Sequence, residues 1–116
     1  MDNHKKTEQT FATLLADENN SKCFECERSG ATWASVTNGI FICQECAGIH
    51  RGFGVHLSFV RSTKIDSWTD KQLDTMEMGG NKRLKNFLNN YDIPHQPYKA
   101  KYETKAAHYY REMVER

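Results

Sequence analysis

The chain of 116 residues contains no run of eighteen apolar residues, which excludes a membrane-spanning helix. It also lacks any marked imbalance of charge. Sixteen Lys and Arg against fifteen Asp and Glu leave a net +1 at pH 7, so bulk attraction to nucleic acid or an anionic membrane is not expected. No apolar stretch follows the basic pair in Met1-Asp2-Asn3-His4-Lys5-Lys6, so the amino terminus does not read as a secretory signal. Repeats and low-complexity tracts are missing. Hydrophobic residues make up 38% and charged residues 27%, within the range of a globular protein. The length suits one domain over residues 1–116, with a small core. The last helix ends in charge with no tail, as expected of a domain taken from a longer protein.

Cysteine is sparse but ordered. The four form Cys23-x-x-Cys26 and Cys43-x-x-Cys46, separated by sixteen residues. Two such pairs at this distance point to one tetrahedral zinc held by four thiolates. Two disulfides would require a secretory context, which the missing signal argues against. Redox Cys-x-x-Cys chemistry does not use two pairs at zinc spacing. A reducing compartment follows, cytoplasm or nucleus. Four thiolates close the coordination sphere, so the zinc is structural and part of the folding free energy comes from it.

The expected class is α+β: a four-cysteine zinc-finger module with a short central sheet of about three strands, flanked by about five helices. Glu8 to Asp17 reads as a helix with Phe11, Leu14 and Leu15 on one face, broken by Asn19-Asn20-Ser21. Thr32 to Val36 and Ile40 to Ile42 read as strands joined by a Thr37-Asn38-Gly39 hairpin. Gln44 to about Gly52 should be a helix, with Ile49, His50 and Phe53 near the azimuth of Cys46 and Arg51 pointing outward. Ile49 and Phe53 are expected in the interior. His56 to Arg61 suits a third strand or extended stretch. Thr69-x-x-Gln72 resembles a capping box that opens a helix stopping at Gly79-Gly80. Asn81 is expected to cap the next helix. Pro94 and Pro97 mark a linker, and Thr104 caps a last helix buried along Ala107, Tyr110 and Val114.

The blocks Cys23-Phe24-Glu25-Cys26, Thr32-Trp33-Ala34-Ser35-Val36 and Gly39-Ile40-Phe41-Ile42-Cys43-Gln44-Glu45-Cys46-Ala47-Gly48-Ile49-His50-Arg51 carry a resemblance. Gly54-Val55-His56-Leu57-Ser58-Phe59-Val60-Arg61-Ser62, Ile65-Asp66 and Gly79-Gly80-Asn81 continue it. Together they resemble the Arf GTPase-activating protein domain over nearly the whole chain, and most nearly its Golgi, coatomer-linked branch. The resemblance implies that Arg51 is an arginine finger inserted in trans into a GTP-bound Arf-family GTPase, in the service of vesicle coat cycling. It implies that Trp33 packs beside that arginine, and that Trp33, Ile49 and Asp66 meet the GTPase. The chain would then be a GTPase activator and not itself an enzyme. It would act as a monomer in the cytoplasm, recruited to Golgi membranes, with coatomer and membrane contacts made by regions outside this chain. Glu27 stands where the family often has Gly, the proline usual before the tryptophan is missing, and Phe53 replaces a common Leu.

Other readings stand beside this one. Arg61 is a rival finger, although its setting suggests a structural pair with Asp66. His50 is expected to pack near the metal, and His56 to bond backbone in the following turn. Lys82, Arg83 and Lys85 read as a solvated helix face. A GATA-like DNA-binding finger has nearly the same cysteine spacing. It needs a basic helix after the last pair, where this chain has Gln44, Glu45, Ala47 and Gly48. An inactive zinc-stabilised interaction module also remains open.

Overall fold

Alternation along Ile40-Phe41-Ile42 sets the architecture. Successive strand residues face opposite sides of a sheet. Here Ile40 and Ile42 enter one buried cluster and Phe41 enters another, all three with no exposed surface. Both faces of the sheet are therefore covered. The structure is a computed structural model that describes residues 4–115. The start of the amino-terminal segment judged above, Met1 to Asn3, lies outside the described residues, as does Arg116.

Three antiparallel strands form the sheet in the order β2-β1-β3: β1 (Trp33–Ser35), β2 (Ile40–Ile42) and β3 (Val60–Ser62). Trp33 pairs with Ile42 on one side and with Ser62 on the other. The β1–β2 turn closes through Gly39, whose φ of 65° lies in the left-handed region. A Cβ at Gly39 would also stand 3.2 Å from Gly79 Cα. Both facts require glycine there.

Seven helices surround the sheet among the described residues: α1 (His4–Leu14), α2 (Glu18–Ser21), α3 (Gln44–Arg51), α4 (Asp70–Met78), α5 (Asn81–Leu88), α6 (Tyr98–Tyr102) and α7 (Lys105–Glu115). On one face Phe11 of α1 and Leu73 and Met76 of α4 close over Phe41, with Trp68 between them. On the other face α3, α5, α6 and α7 pack with the cysteines around Ile40 and Ile42. No helix among the described residues is long and apolar enough to cross a membrane.

The α+β class with a three-stranded sheet stands, and the helix count rises from the expected five to seven. One addition is α2, where Asp17 accepts from the Asn19 N–H at 2.9 Å and restarts one turn of helix inside the expected break. The other is α6, five residues directly after Pro97 in the expected linker. The Thr69–Gln72 capping box forms in both directions. Thr104 Oγ1 accepts from the Ala107 N–H at 3.1 Å, as a cap should. Asn81 does something else. It is the first residue of α5, capped by Gly80 without a side-chain bond. Its carboxamide instead reaches the outer edge of β2, accepting from the Phe41 N–H at 2.7 Å and donating to the Phe41 carbonyl at 3.1 Å. A residue named as a cap thus serves as an extra peptide unit against a strand. The sequence cannot distinguish the two uses because both ask for the same short amide.

Candidate functional site

Two loops of identical pattern converge on one point. Cys23 follows an isolated bridge between Lys22 and Ser29, and its N–H donates to the Arg28 carbonyl at 2.8 Å, closing the first knuckle. Within that knuckle Glu27 adopts φ 64°, a left-handed conformation in which a side chain is strained. This is the position where the resemblance leads one to expect glycine. Glu27 lies within reach of Lys85, at 3.3 Å. The second knuckle issues from β2, and Cys43 is at once a ligand candidate and the N-cap of α3, its sulfur accepting from the Cys46 N–H.

The four sulfurs all lie within 4.8 Å of one another, and Cys26 and Cys43 sulfurs are 3.8 Å apart. A tetrahedron with bonds of about 2.3 Å has edges of about 3.8 Å, so the donor set fits zinc in size as well as in chemistry. Cys23, Cys43 and Cys46 are buried and Cys26 is exposed. Burial pushes the Cys23 and Cys46 thiols up. Cys43 is held down, against its own burial, by hydrogen bonds that include the Cys46 backbone N–H. A closed set of four sulfurs leaves no position for an activated water.

Arg51 is the last residue of α3 and is exposed. Its guanidinium carbon stands 4.9 Å from the centroid of the Trp33 ring, a cation–π arrangement. Trp33 is half-buried and packs against the cysteine-side core, so it forms a shelf beneath an exposed side chain. The C-terminal end of a helix also favours a cation.

The structure brings Arg51 and Trp33 together as expected and moves one neighbour. Ile49 was expected in the interior, and it is 47% exposed. The buried stripe of α3 runs Cys46, Ala47, His50 and then Phe53 beyond its end. At 100° per residue Ile49 lies about 100° from the centre of that stripe, on its border. Asp66 is half-buried and ties the turn after β3, accepting from the Ser62 N–H at 2.7 Å. Ser62 is the register partner of Trp33, so this turn sits at the tryptophan end of the sheet. Arg61 donates to the Ser67 carbonyl at 2.8 Å and lies 4.0 Å from Asp66, which fits its structural reading. His56 is exposed, as are Lys82, Arg83 and Lys85. Lys85 pairs with Glu27, and Arg83 donates to the Met78 carbonyl.

A buried polar network escaped the sequence reading. Glu25, between the first two cysteines, has a fully buried side chain. It takes hydrogen bonds from Lys101 and Tyr102 of α6 and contacts His50 Nε2 at 2.7 Å. Burial alone would raise its pKa. The His50 hydrogen bond and the Lys101 charge overcome that and hold the carboxyl below the usual range. His50 Nδ1 meets Ser58 Oγ at 2.7 Å, Ser58 meets Ser35 at 2.7 Å, and Asn38 Nδ2 donates to Ser35 at 2.8 Å. Each group can donate once along this chain if His50 carries its proton on Nε2 and gives it to Glu25. The sequence offered one hint, His50, which was expected to pack near the metal. The lysine and tyrosine lie 76 and 77 residues from Glu25, beyond any local pattern.

Comparison with known proteins agrees with this geometry. The family model ArfGap, described as "Putative GTPase activating protein for Arf", matches residues 8–116. ADP-ribosylation factor GTPase-activating protein 3 of Macaca fascicularis is 42% identical over 105 residues, covering 90% of this chain and 20% of the relative. ADP-ribosylation factor GTPase-activating protein GCS1 of Saccharomyces cerevisiae is 45% identical over 96 residues, covering 82% of this chain and 27% of the relative. The chain thus spans about a fifth to a quarter of the length of these relatives. A crystal structure of a "putative GTPase activating protein for ADP ribosylation factor" from Cryptosporidium parvum superposes with a TM-score of 0.86 at 33% identity, covering 95% of this chain and 89% of that one. These names correct one expectation. The relatives are named GTPase-activating proteins, a class generally counted among the enzymes as GTPase activators, so the reading of a non-enzyme is overturned. With four sulfurs at zinc distances, an arginine on a tryptophan shelf and a family match over residues 8–116, the chain belongs to the ArfGap family.

Proposed function

We propose that this chain is a single-domain activator that accelerates GTP hydrolysis on an Arf-family GTPase by inserting Arg51 in trans. The observation that carries the reading is the exposed Arg51 guanidinium lying over Trp33 at the free end of α3. In the transition state of phosphoryl transfer, charge spreads over the transferring group and the leaving oxygen. A guanidinium brings a planar fork of permanently charged donors to that charge. Lysine offers only a point charge, so it substitutes poorly. The attacking water, the group orienting it and the magnesium belong to the GTPase. The chain's own contribution is the guanidinium, its shelf and the rigid end of a short helix.

Zinc bound by Cys23, Cys26, Cys43 and Cys46 supplies folding energy and no chemistry. Trp33, Ile49 and Asp66 form the contact face around the finger. The exposed side of α3 before Arg51 carries Gln44, Glu45, Gly48 and Ile49 with no basic residue, which favours a protein partner over nucleic acid. The relatives' names support action on the Arf GTPase cycle. The setting we propose for it is vesicle coat cycling at Golgi membranes, reached from the cytoplasm by a monomer. Contacts with coatomer or membrane would be made by regions outside this chain.

Single-turnover hydrolysis by GTP-loaded Arf tests the proposal. The chain should accelerate the reaction by about 10³ to 10⁵. Arg51→Ala should abolish the acceleration and Arg51→Lys should remove most of it, both with native folding and zinc content. Wild-type rates in both variants would refute the finger.

A further inference from the structure

We propose that Lys101 and Tyr102 are positioning residues for the finger, acting through Glu25 and His50 from the far side of α3. The inference rests on Arg51 being the finger. Helix α3 is only eight residues long. Its first turn is pinned by Cys43 and Cys46, whereas its last turn, which carries Arg51, bears no cysteine. The polar tie at that end is His50, the residue next to Arg51, whose side chain is fully buried.

His50 is held on every side. Its Nε2 meets Glu25 and its Nδ1 meets Ser58, both at 2.7 Å. The rings of Phe53 and Tyr102 stand 4.6 and 5.1 Å from it. Glu25 is itself fixed from α6. Lys101 Nζ pairs with Oε1, and the Tyr102 hydroxyl donates to Oε2, the oxygen that also meets His50. Lys101 is 7% exposed, and its ammonium lies 5.2, 5.3 and 5.5 Å from the rings of Phe24, Tyr98 and Tyr102. An apolar set could fill this space at less desolvation cost, because a buried ion pair is weak evidence for stability. What the polar set adds is direction. Hydrogen bonds and aromatic faces fix the rotation of α3 about its axis, and with it the point from which Arg51 projects. A misplacement of about 1 Å at a reacting centre can cost about 10²-fold in rate.

Two conservative variants test this. Tyr102→Phe keeps the ring against His50 and removes one donor to Glu25. Lys101→Met keeps the stem within the aromatic cage and removes the charge. Hydrolysis should be followed at varied concentrations of GTP-loaded Arf, with zinc content and melting temperature measured alongside. The expected result is a fall in kcat of about tenfold with KM within about twofold, in protein that holds one zinc. Each change should then be repeated in the Arg51→Lys background, where it should cost less than about twofold, since nothing remains to be aimed. Should Lys101→Met lose its zinc, Tyr102→Phe decides. Parental kcat in the folded variants, or equal fold losses in both backgrounds, would overturn the inference. Wild-type rates in both Arg51→Ala and Arg51→Lys would instead sink the finger reading itself.

Discussion

One face of the sheet is sealed by rings, the other by sulfur and charge. Over Phe41, the Phe11 ring meets Trp68 edge-on at 4.8 Å and Phe41 at 6.0 Å, and Leu73 and Met76 complete a side with no buried ion pair among the described residues. Over Ile40 and Ile42 lie three buried cysteines, a buried Glu25–His50–Lys101 cluster and two tyrosines without exposed surface. The apolar face can relax when altered, because dispersion contacts are many and weak. The polar face cannot, because each of its groups loses a specific partner. Arg51, the proposed finger, sits on the face that tolerates least movement, which suits a group whose use depends on placement.

The largest test of this contrast is removal of the zinc proposed for the four cysteines. Structural zinc contributes about 10–16 kcal/mol in small fingers, so a chelator should unfold the cysteine face. Amide exchange should show Ile42 and Leu84 losing protection before Phe11 and Leu73. Simultaneous loss at all four would mean that the faces are one cooperative unit and would break the comparison. Next in size is Phe11→Ala, which removes both ring contacts on the apolar face. It should cost about 3–5 kcal/mol and lower the melting temperature by roughly 10–20 °C. Zinc stoichiometry and the rate per folded molecule should stay at parental values. A drop in either would show that the apolar side also aims the finger.

The smallest effect concerns Tyr110, whose hydroxyl is buried without a hydrogen-bond partner among the described residues. Burial pushes its pKa up to about 12. A folded value above the unfolded one, about 10, means that this group's stability term is complete below pH 10 and is lost as pH rises toward 12. Tyr110→Phe should therefore give a shallower alkaline denaturation limb by about 2 kcal/mol, the remainder of the limb including Tyr102, which is also raised by burial. At pH 7 the same variant should gain up to about 1 kcal/mol, since an unsatisfied hydroxyl disappears. Equal alkaline limbs would place the titration elsewhere.

What could be read from the chain followed from how local each signal is. The cysteine quartet, the Thr37–Gly39 turn, the Thr69–Gln72 box and the Thr104 cap are complete within a few residues, and all four are found where expected. Ile49 was misplaced because an eight-residue helix has a narrow buried stripe, and a border position follows its neighbours more than its own hydrophobicity. Helix α6 was lost because it starts directly after the second of two prolines, and Pro97 reads equally as the end of one element and the start of another. Glu25, Lys101 and Tyr102 left no trace because their partnership exists only after the chain has closed. Trp33 could be placed beside Arg51 by resemblance, whereas the ring's use as a shelf needed the geometry.

Asn81 carries a final consequence. By bonding both the N–H and the carbonyl of Phe41, its carboxamide occupies the flank of β2 that another polypeptide would need for zipper-like growth of the sheet. On the opposite edge Ser62 of β3 is closed in the same way, its N–H donating to Asp66 at 2.7 Å and its carbonyl accepting from Trp68 Nε1 at 3.0 Å. Three side chains thus stand where a fourth strand would have to join, at either margin of a very small sheet.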